Sequence, residues 1–275
     1  MAILELVDVV KTYGSTNVLS HVSLSVQPGE FVAIVGFSGA GKSTLMSLLT
    51  GLERPDSGKA LFKGAPISGP GPERGVVFQN YSLLPWLTVN ENVALAVDEV
   101  FGDWSAKRRR DHTERYVHLV GLGHAADRRP AQLSGGMRQR VALARALAAE
   151  PEVLLMDEPL GALDALTRAT LQGELERICR TAGKTMVLVT NDVDEAILLA
   201  DRIIPLSAGP GASLGPARDV AIARPRERRA LNHEPEFQRI RADVIEYLLE
   251  SKRTKRAVPR ASSAPVLVPA LEAST

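Results

Sequence analysis

At 275 residues the chain is long enough for one large domain or two modest ones, and 45% hydrophobic content supports a substantial buried core. A formal net charge of +1 excludes nucleic-acid binding driven by bulk charge, and the single cysteine, Cys179, excludes an internal disulfide and suits a reducing compartment. No apolar run reaches the roughly 18 residues of a spanning helix and the N-terminus lacks signal-peptide form, so the chain is expected to be soluble, with any membrane role coming through a partner.

Strand-like alternation marks Ala2–Val10 and Val18–Val26, and Gln27-Pro28-Gly29-Glu30 reads as a turn into the apolar run Phe31–Val35. Residues 36–43 are Gly-Phe-Ser-Gly-Ala-Gly-Lys-Ser, and a helix-like stretch, Thr44–Thr50, follows. Asp56-Ser57-Gly58 opens a strand at Lys59–Phe62, and Gly75–Phe78 is a short strand ending at Gln79. The period then turns helical from about Thr88 to Val120, with Lys107–Asp111 as an exposed charged face. A helix at Met137–Ala149 follows Leu133-Ser134-Gly135-Gly136, and Val153–Met156 is a buried strand. Asp164–Ala182, with Cys179 as a small packing residue, is helical; Thr185–Thr190 is a strand and Val193–Ala200 a helix. Strands alternating with helices imply an α/β core of mostly parallel sheet, with an antiparallel β subdomain at the N-terminus and an inserted α-helical subdomain at about 85–145. The arginines Arg224, Arg226, Arg228 and Arg229 read as a solvated surface. The domain is placed at 1–250, and 251–275 reads as a disordered tail, first basic and then Pro/Ala-rich.

Two motifs carry chemistry. The pattern G-x-x-x-x-G-K-[ST] between a buried strand and a helix lets backbone N–H groups face a polyphosphate, helped by the positive end of the helix. Gly36, Phe37, Ser38, Gly39, Ala40, Gly41, Lys42, Ser43 and Thr44 are the expected nucleotide-binding residues. Lys42 would reach the β- and γ-phosphates, the Ser43 hydroxyl would hold Mg²⁺, and the amides from Gly39 to Thr44 would cradle the β-phosphate. The second motif is the apolar strand Val153–Met156 ending in Asp157 and Glu158. Asp157 can hold Mg²⁺ and Glu158 can polarise the water that attacks the γ-phosphate.

With Gln79, Leu133-Ser134-Gly135-Gly136-Met137 and Gly161-Ala162-Leu163-Asp164, these motifs resemble the nucleotide-binding subunit of an ATP-binding-cassette (ABC) transporter over about residues 2–245. The resemblance implies a P-loop NTPase core and a head-to-tail dimer, with two ATP molecules held between the phosphate loop of one subunit and Ser134, Gly135 and Gly136 of the other. That second cassette is either another copy or a different subunit. Tyr13 matches the aromatic that stacks on adenine, Gln79 the glutamine that senses Mg²⁺ and the attacking water, and Asp164 the interface aspartate. Met137 replaces a more usual glutamine at a tolerant position. Asn191 stands where the family usually has a histidine contacting the γ-phosphate; an amide is shorter and cannot become cationic, which implies slowed hydrolysis.

The stretch Tyr81–Leu87, with Leu84, Trp86 and Leu87 expected as exposed apolar residues, falls where importer cassettes of the family it resembles receive the coupling helix of a transmembrane permease subunit. This stretch, with Gly161–Thr167, Asp192–Asp201 and Ser207–Gly211, resembles the branch importing nitrate and nitrite, close to those for sulfonates, taurine and cyanate. The resemblance implies uptake of a small inorganic anion delivered by a periplasmic or lipoprotein binding protein. It places the chain at the cytoplasmic face of a bacterial inner membrane, peripheral through the permease. Nitrate-type importers pair a long cassette subunit carrying a sensing domain with a short one, and the length here implies the short kind. Two other classes stay open: a cassette protein of translation or DNA maintenance, against which the single cassette and the absent basic face count, and a regulatory cassette that holds ATP without hydrolysing it.

Overall fold

The computed structural model describes residues 1–161 and 163–257. In chain order come β1 (Leu4–Tyr13), β2 (Thr16–Val26), β3 (Phe31–Gly36), α1 (Lys42–Thr50), β4 (Ser57–Phe62), β5 (Ala65–Pro66) and β6 (Arg74–Val77). The helices α2 (Val89–Val100), α3 (Ala106–Leu119) and α4 (Gly135–Ala148) follow, then β7 (Val153–Asp157), α5 (Ala165–Ala182), β8 (Thr185–Thr190) and α6 (Val193–Leu199). The chain continues through β9 (Arg202–Leu206), β10 (Arg218–Asp219), α7 (Arg228–Leu231) and α8 (Pro235–Ala257).

Two sheets form, as the alternation of the sequence predicts. One is antiparallel, in the order β2-β1-β4-β5; the other runs β10-β9-β3-β8-β7-β6 and is parallel except at β10. Because β3, β7 and β8 are covered on both faces, their sequences are apolar without interruption. Successive side chains still point to opposite faces. Phe31, Ala33, Val35, Leu154, Met156 and Leu188 pack with α2, α4 and α8, whereas Val32, Ile34, Leu155, Val187 and Val189 pack with α1 and the antiparallel sheet. The carboxyl ends of β3, β7 and β8 therefore emerge side by side between two cores.

The single helical run expected at 88–120 is two helices with a corner at 101–105. Thr88 and Glu91 form a reciprocal capping box on α2, and the Ser105 hydroxyl accepts from Arg108 N to start α3. Phe101 and Trp104 stack at 4.1 Å in the corner, with the Arg108 guanidinium 3.6 Å from the Trp104 ring centroid, so the break is a packed feature.

Two expectations at the C-terminal end are corrected. Arg226 is buried: its guanidinium donates to the carbonyls of Ile197 and Ala200 at 2.8 and 2.6 Å and to those of Val220 and Ile222. Arg224 donates to Leu199 O and Asp201. They thereby satisfy carbonyls at the end of α6 that have no intrahelical partner. Burial first, and Arg224 second, lower the Arg226 pKa to about 10, leaving it charged at neutral pH. The expected tail boundary at 251 falls inside α8, whose Phe237, Ile240, Val244 and Leu248 are buried at helical spacing. The expectations for Ala162, for the side chains of Cys179 and Arg229, and for 258–275 lie outside the described residues.

Candidate functional site

The loop after β3 takes its shape from two glycines. Gly39 and Gly41 have φ of 77° and 98°, and a Cβ on Gly41 would come within 2.9 Å of the Val18 side chain. Lys42 opens α1 and is only 4% exposed. Its ammonium donates to Gly36 O at 3.1 Å and Phe37 O at 2.9 Å, and pairs with Glu158 Oε1 at 3.0 Å. Around it lies an open cavity of about 330 Å³ lined by Val18, Ser38, Gly39, Gly41, Lys42, Ser43, Thr44, Gln79 and Glu158. A cleft of about 370 Å³ between α2 and α3 contains none of the expected site residues.

The two carboxylates differ in setting. Glu158 has a left-handed backbone, φ 42°, held by Glu158 N donating to Val189 O at 2.7 Å and by its own carbonyl accepting from Gly161 N. A non-glycine residue in that region is strained, and here the strain turns the carboxylate toward Lys42. Asp157 Oδ1 is buried and has no hydrogen-bond partner. Burial raises the Asp157 pKa; the Ser43 hydroxyl lowers it, Glu158 raises it and Lys42 lowers it. An orphaned carboxylate oxygen beside a serine hydroxyl fits a hard divalent cation that takes its remaining ligands from phosphate and water. Among the described residues no three His, Cys, Asp or Glu side chains gather as a metal site.

Tyr13 stands at the end of β1 with 43% of its surface exposed. Its hydroxyl donates to Glu53, the Thr44 hydroxyl lies alongside, and burial followed by Glu53 pushes the phenol pKa up. An exposed ring tethered by its hydroxyl next to the phosphate loop is available for stacking on a base.

The remaining expected residues form a second group outside the cavity. Ser134 caps α4, its hydroxyl accepting from Met137 N. A Cβ on Gly136 would lie 2.6 Å from Thr167 Cγ2, and one on Gly135 would lie 3.1 Å from Leu163 Cδ2. Asp164 caps α5 by accepting from Thr167 N at 3.0 Å, so Ser134–Gly136 and Asp164 sit together across the α4–α5 contact. Asn191 is exposed at the end of β8, the strand beside the one that carries Glu158.

After Gln79 the chain makes a tight excursion in which Tyr81 and Ser82 both have positive φ. Arg145 donates to the carbonyls of both. The fully buried Asn92 accepts from Leu84 N and donates to Leu84 O, Leu87 O and Thr88 O. These two side chains fix the backbone and leave Pro85 and Trp86 outward, Trp86 at 64% exposure, whereas Leu84 and Leu87, expected to be exposed, are half-buried because Asn92 holds their backbone against α2.

Residues 19–161 match a family model described as ABC transporter, a span that holds the phosphate loop, Gln79, Ser134–Gly136, Asp157 and Glu158. The chain belongs to the ABC transporter family. Nitrate transport protein NasD of Klebsiella oxytoca is 47% identical over 87% of this chain and 92% of its own length. Bicarbonate transport ATP-binding protein CmpC of Synechococcus elongatus is 53% identical over 86% of this chain, which spans 36% of that relative. The dimeric, post-hydrolysis structure of the ATP-binding cassette MJ0796 with ADP and Pi superposes with a TM-score of 0.70 at 33% identity, covering 80% of this chain and all of that one. The α/β core of the P-loop NTPase type is thus established for this ABC cassette.

Several neighbours of the site carry no sequence signal. Val18 closes one wall, Glu53 tethers Tyr13, and Lys252 of α8 lies 4.8 Å from the centroid of the Phe37 ring. Glu195 is legible only as the third residue of a capped helix, because Asp192 accepts from its N–H; nothing in that pattern announces a buried carboxyl.

Proposed function

We propose that the chain binds and hydrolyses MgATP as the cassette subunit of an importer for a small planar oxyanion, nitrate or nitrite in the first place. The observation that carries this reading is the convergence of Lys42, Ser43 and Glu158 on one phosphate-sized cavity, with the Asp157 carboxylate beside Ser43, in a chain that aligns with NasD over 92% of that protein. Lys42 and the loop amides bind the polyphosphate. Ser43, Asp157 and Gln79 would hold Mg²⁺, which would offset negative charge on the phosphates. Glu158 accepts a proton from the attacking water. Ser134–Gly136 and Asp164 lie outside the cavity, so a second cassette, an identical copy or a different subunit, must present its own set to close it; a helix N-terminus aimed at the γ-phosphate supplies that clamp.

The Tyr81–Leu87 excursion is the docking surface for the permease, through which the chain sits at the cytoplasmic face of the inner membrane. Among the described residues no helix is long and apolar enough to cross a membrane. Trp86→Ala will weaken co-purification with the permease while leaving the fold and ATP binding intact, since that side chain packs on little of its own subunit. Complete retention of the complex would move the docking surface elsewhere.

Asn191 keeps one donor but loses the reach and charge of a histidine. A charge-assisted bond reduced to a neutral one lowers transition-state stabilisation by about 1–3 kcal/mol, or roughly 5- to 150-fold in rate. Steady-state turnover of Asn191→His beside the wild type, with the permease present, will show the faster variant; equal rates would free Asn191 of any limiting role.

The 53% identity to CmpC supports a second anion, bicarbonate, which shares the planarity and single charge of nitrate. The subunit does not touch the cargo. Reconstituting the chain with its permease and anion-binding protein in vesicles, and measuring ATP turnover with nitrate, nitrite, bicarbonate, taurine or cyanate, decides among them. Failure of every anion to stimulate turnover would overturn the importer reading.

A further inference from the structure

Glu195 is 4% exposed on α6, and its Oε2 accepts from the Thr190 hydroxyl at 2.5 Å, while Oε1 is buried without a hydrogen-bond partner. The Thr190 oxygen in turn accepts from Asp192 N at 3.1 Å, and Asp192 Oδ1 accepts from Glu195 N at 3.0 Å. The residues on both sides of Asn191 are therefore tied to Glu195, Thr190 through its carboxyl and Asp192 through its backbone N–H, and Asn191 follows a strand whose Val189 carbonyl also holds the backbone of Glu158. A carboxyl this buried, hydrogen-bonded to Thr190 and with the Gln172 side chain beside it, is more than a turn requires, and the chemistry described above gives it no part.

We propose that Glu195 is a positioning residue for ATP hydrolysis, acting through the Thr190 hydroxyl to fix the 190–192 turn so that Asn191 faces the nucleotide. The inference rests on the ATPase reading of the site. An ionised Glu195 can only accept, so it draws the Thr190 O–H to itself and leaves the threonine lone pair for Asp192 N–H. A protonated Glu195 brings a competing donor, and the polarity of the turn is no longer fixed. Burial dominates in raising the Glu195 pKa to about 7; Thr190 opposes the shift, Asp192 adds to it, and Arg168 and Gln172 oppose it. The groups facing it are accordingly Asp192 on its own turn and Arg168 and Gln172 on α5. From α7, Arg228 donates to Gln172 Oε1 at 2.9 Å, and from α8, Arg241 is engaged with Asp194. The fixed turn is thus gained as the pH rises through neutrality.

The test is the pH profile of ATP turnover by the full chain with its permease, from about pH 6 to about pH 8, one unit either side of that pKa. Wild-type kcat will rise about 2- to 10-fold across the window, the worth of one net hydrogen bond in the transition state, with KM for MgATP nearly constant. Glu195→Gln will flatten the profile. Thr190→Val will lower kcat and flatten it as well, whereas Thr190→Ser, which keeps the hydroxyl, will restore the slope; this pair decides the matter if Glu195→Gln does not fold. In an Asn191→Ala background the Glu195→Gln effect will vanish, an outcome that a purely structural role would not give. An unchanged slope in Glu195→Gln or Thr190→Val, or full additivity with Asn191→Ala, overturns the proposal while leaving the ATPase reading standing. Absence of turnover by the wild type at every pH would instead overturn the ATPase reading, and this proposal with it.

Discussion

Lys42→Ala will lower the affinity for MgATP by about two orders of magnitude or more. The ammonium is held at the mouth of the loop by Gly36 O and Phe37 O, within 3.1 Å of each, and its third donor is spent on Glu158. When ATP enters, that third donor transfers to phosphate, and a hydrogen bond between charged groups contributes about 1.5–3 kcal/mol. The loss does not stop there. Without the ammonium, the Glu158 carboxylate that it neutralised faces the incoming phosphates. One such bond plus that repulsion exceeds about 2.7 kcal/mol, equivalent to 100-fold in affinity. Calorimetric titration of wild type and variant, with thermal unfolding to confirm that both are folded, measures it directly; affinities within threefold of each other would mean that the loop amides carry the phosphate alone.

Most of this site was legible because its chemistry needs fixed residue types at fixed spacing. Gly39 and Gly41 are required by positive φ, Lys42 and Ser43 by their place at the first turn of a helix, and Asp157 and Glu158 by the end of a buried strand. The alternation of β3, β7 and β8 between two cores was legible as apolar runs and no further, since a strand covered on both faces has lost the polar half of its pattern. Contacts between distant segments left no trace in local sequence. Arg224 and Arg226 look like a solvated basic run, yet they close the carbonyl end of α6, because a guanidinium in sequence is the same whether it meets water or backbone oxygens. The corner at 101–105 was hidden by helical periodicity on both sides of it, and only Gly102 and the capping Ser105 mark it. Glu195 was hidden for the opposite reason: it satisfies a capping pattern so well that its burial against Thr190 is invisible without the fold.

Glu158→Gln will slow hydrolysis by about 10²- to 10⁴-fold, the usual contribution of a positioned general base, and will leave nucleotide binding intact or tighter. The geometry gives the sign of the binding effect. Glu158 Oε1 occupies the same ammonium that the γ-phosphate needs, 3.0 Å away, so every binding event must displace a carboxylate from Lys42. An amide is a weaker competitor for that cation and removes one negative charge from beside the phosphates. The substitution keeps side-chain length and the backbone bonds to Val189 O and Gly161 N, so the left-handed turn at residue 158 is preserved. Binding without turnover should then hold two cassettes closed around unhydrolysed ATP. Light scattering after gel filtration will find the variant dimeric in MgATP and monomeric without it, and a phosphate-release assay will find it nearly silent. Turnover within about twofold of wild type would assign the proton to a group other than Glu158, and other than Asn191 and Gln79, whose amides can orient a water but take no proton at neutral pH.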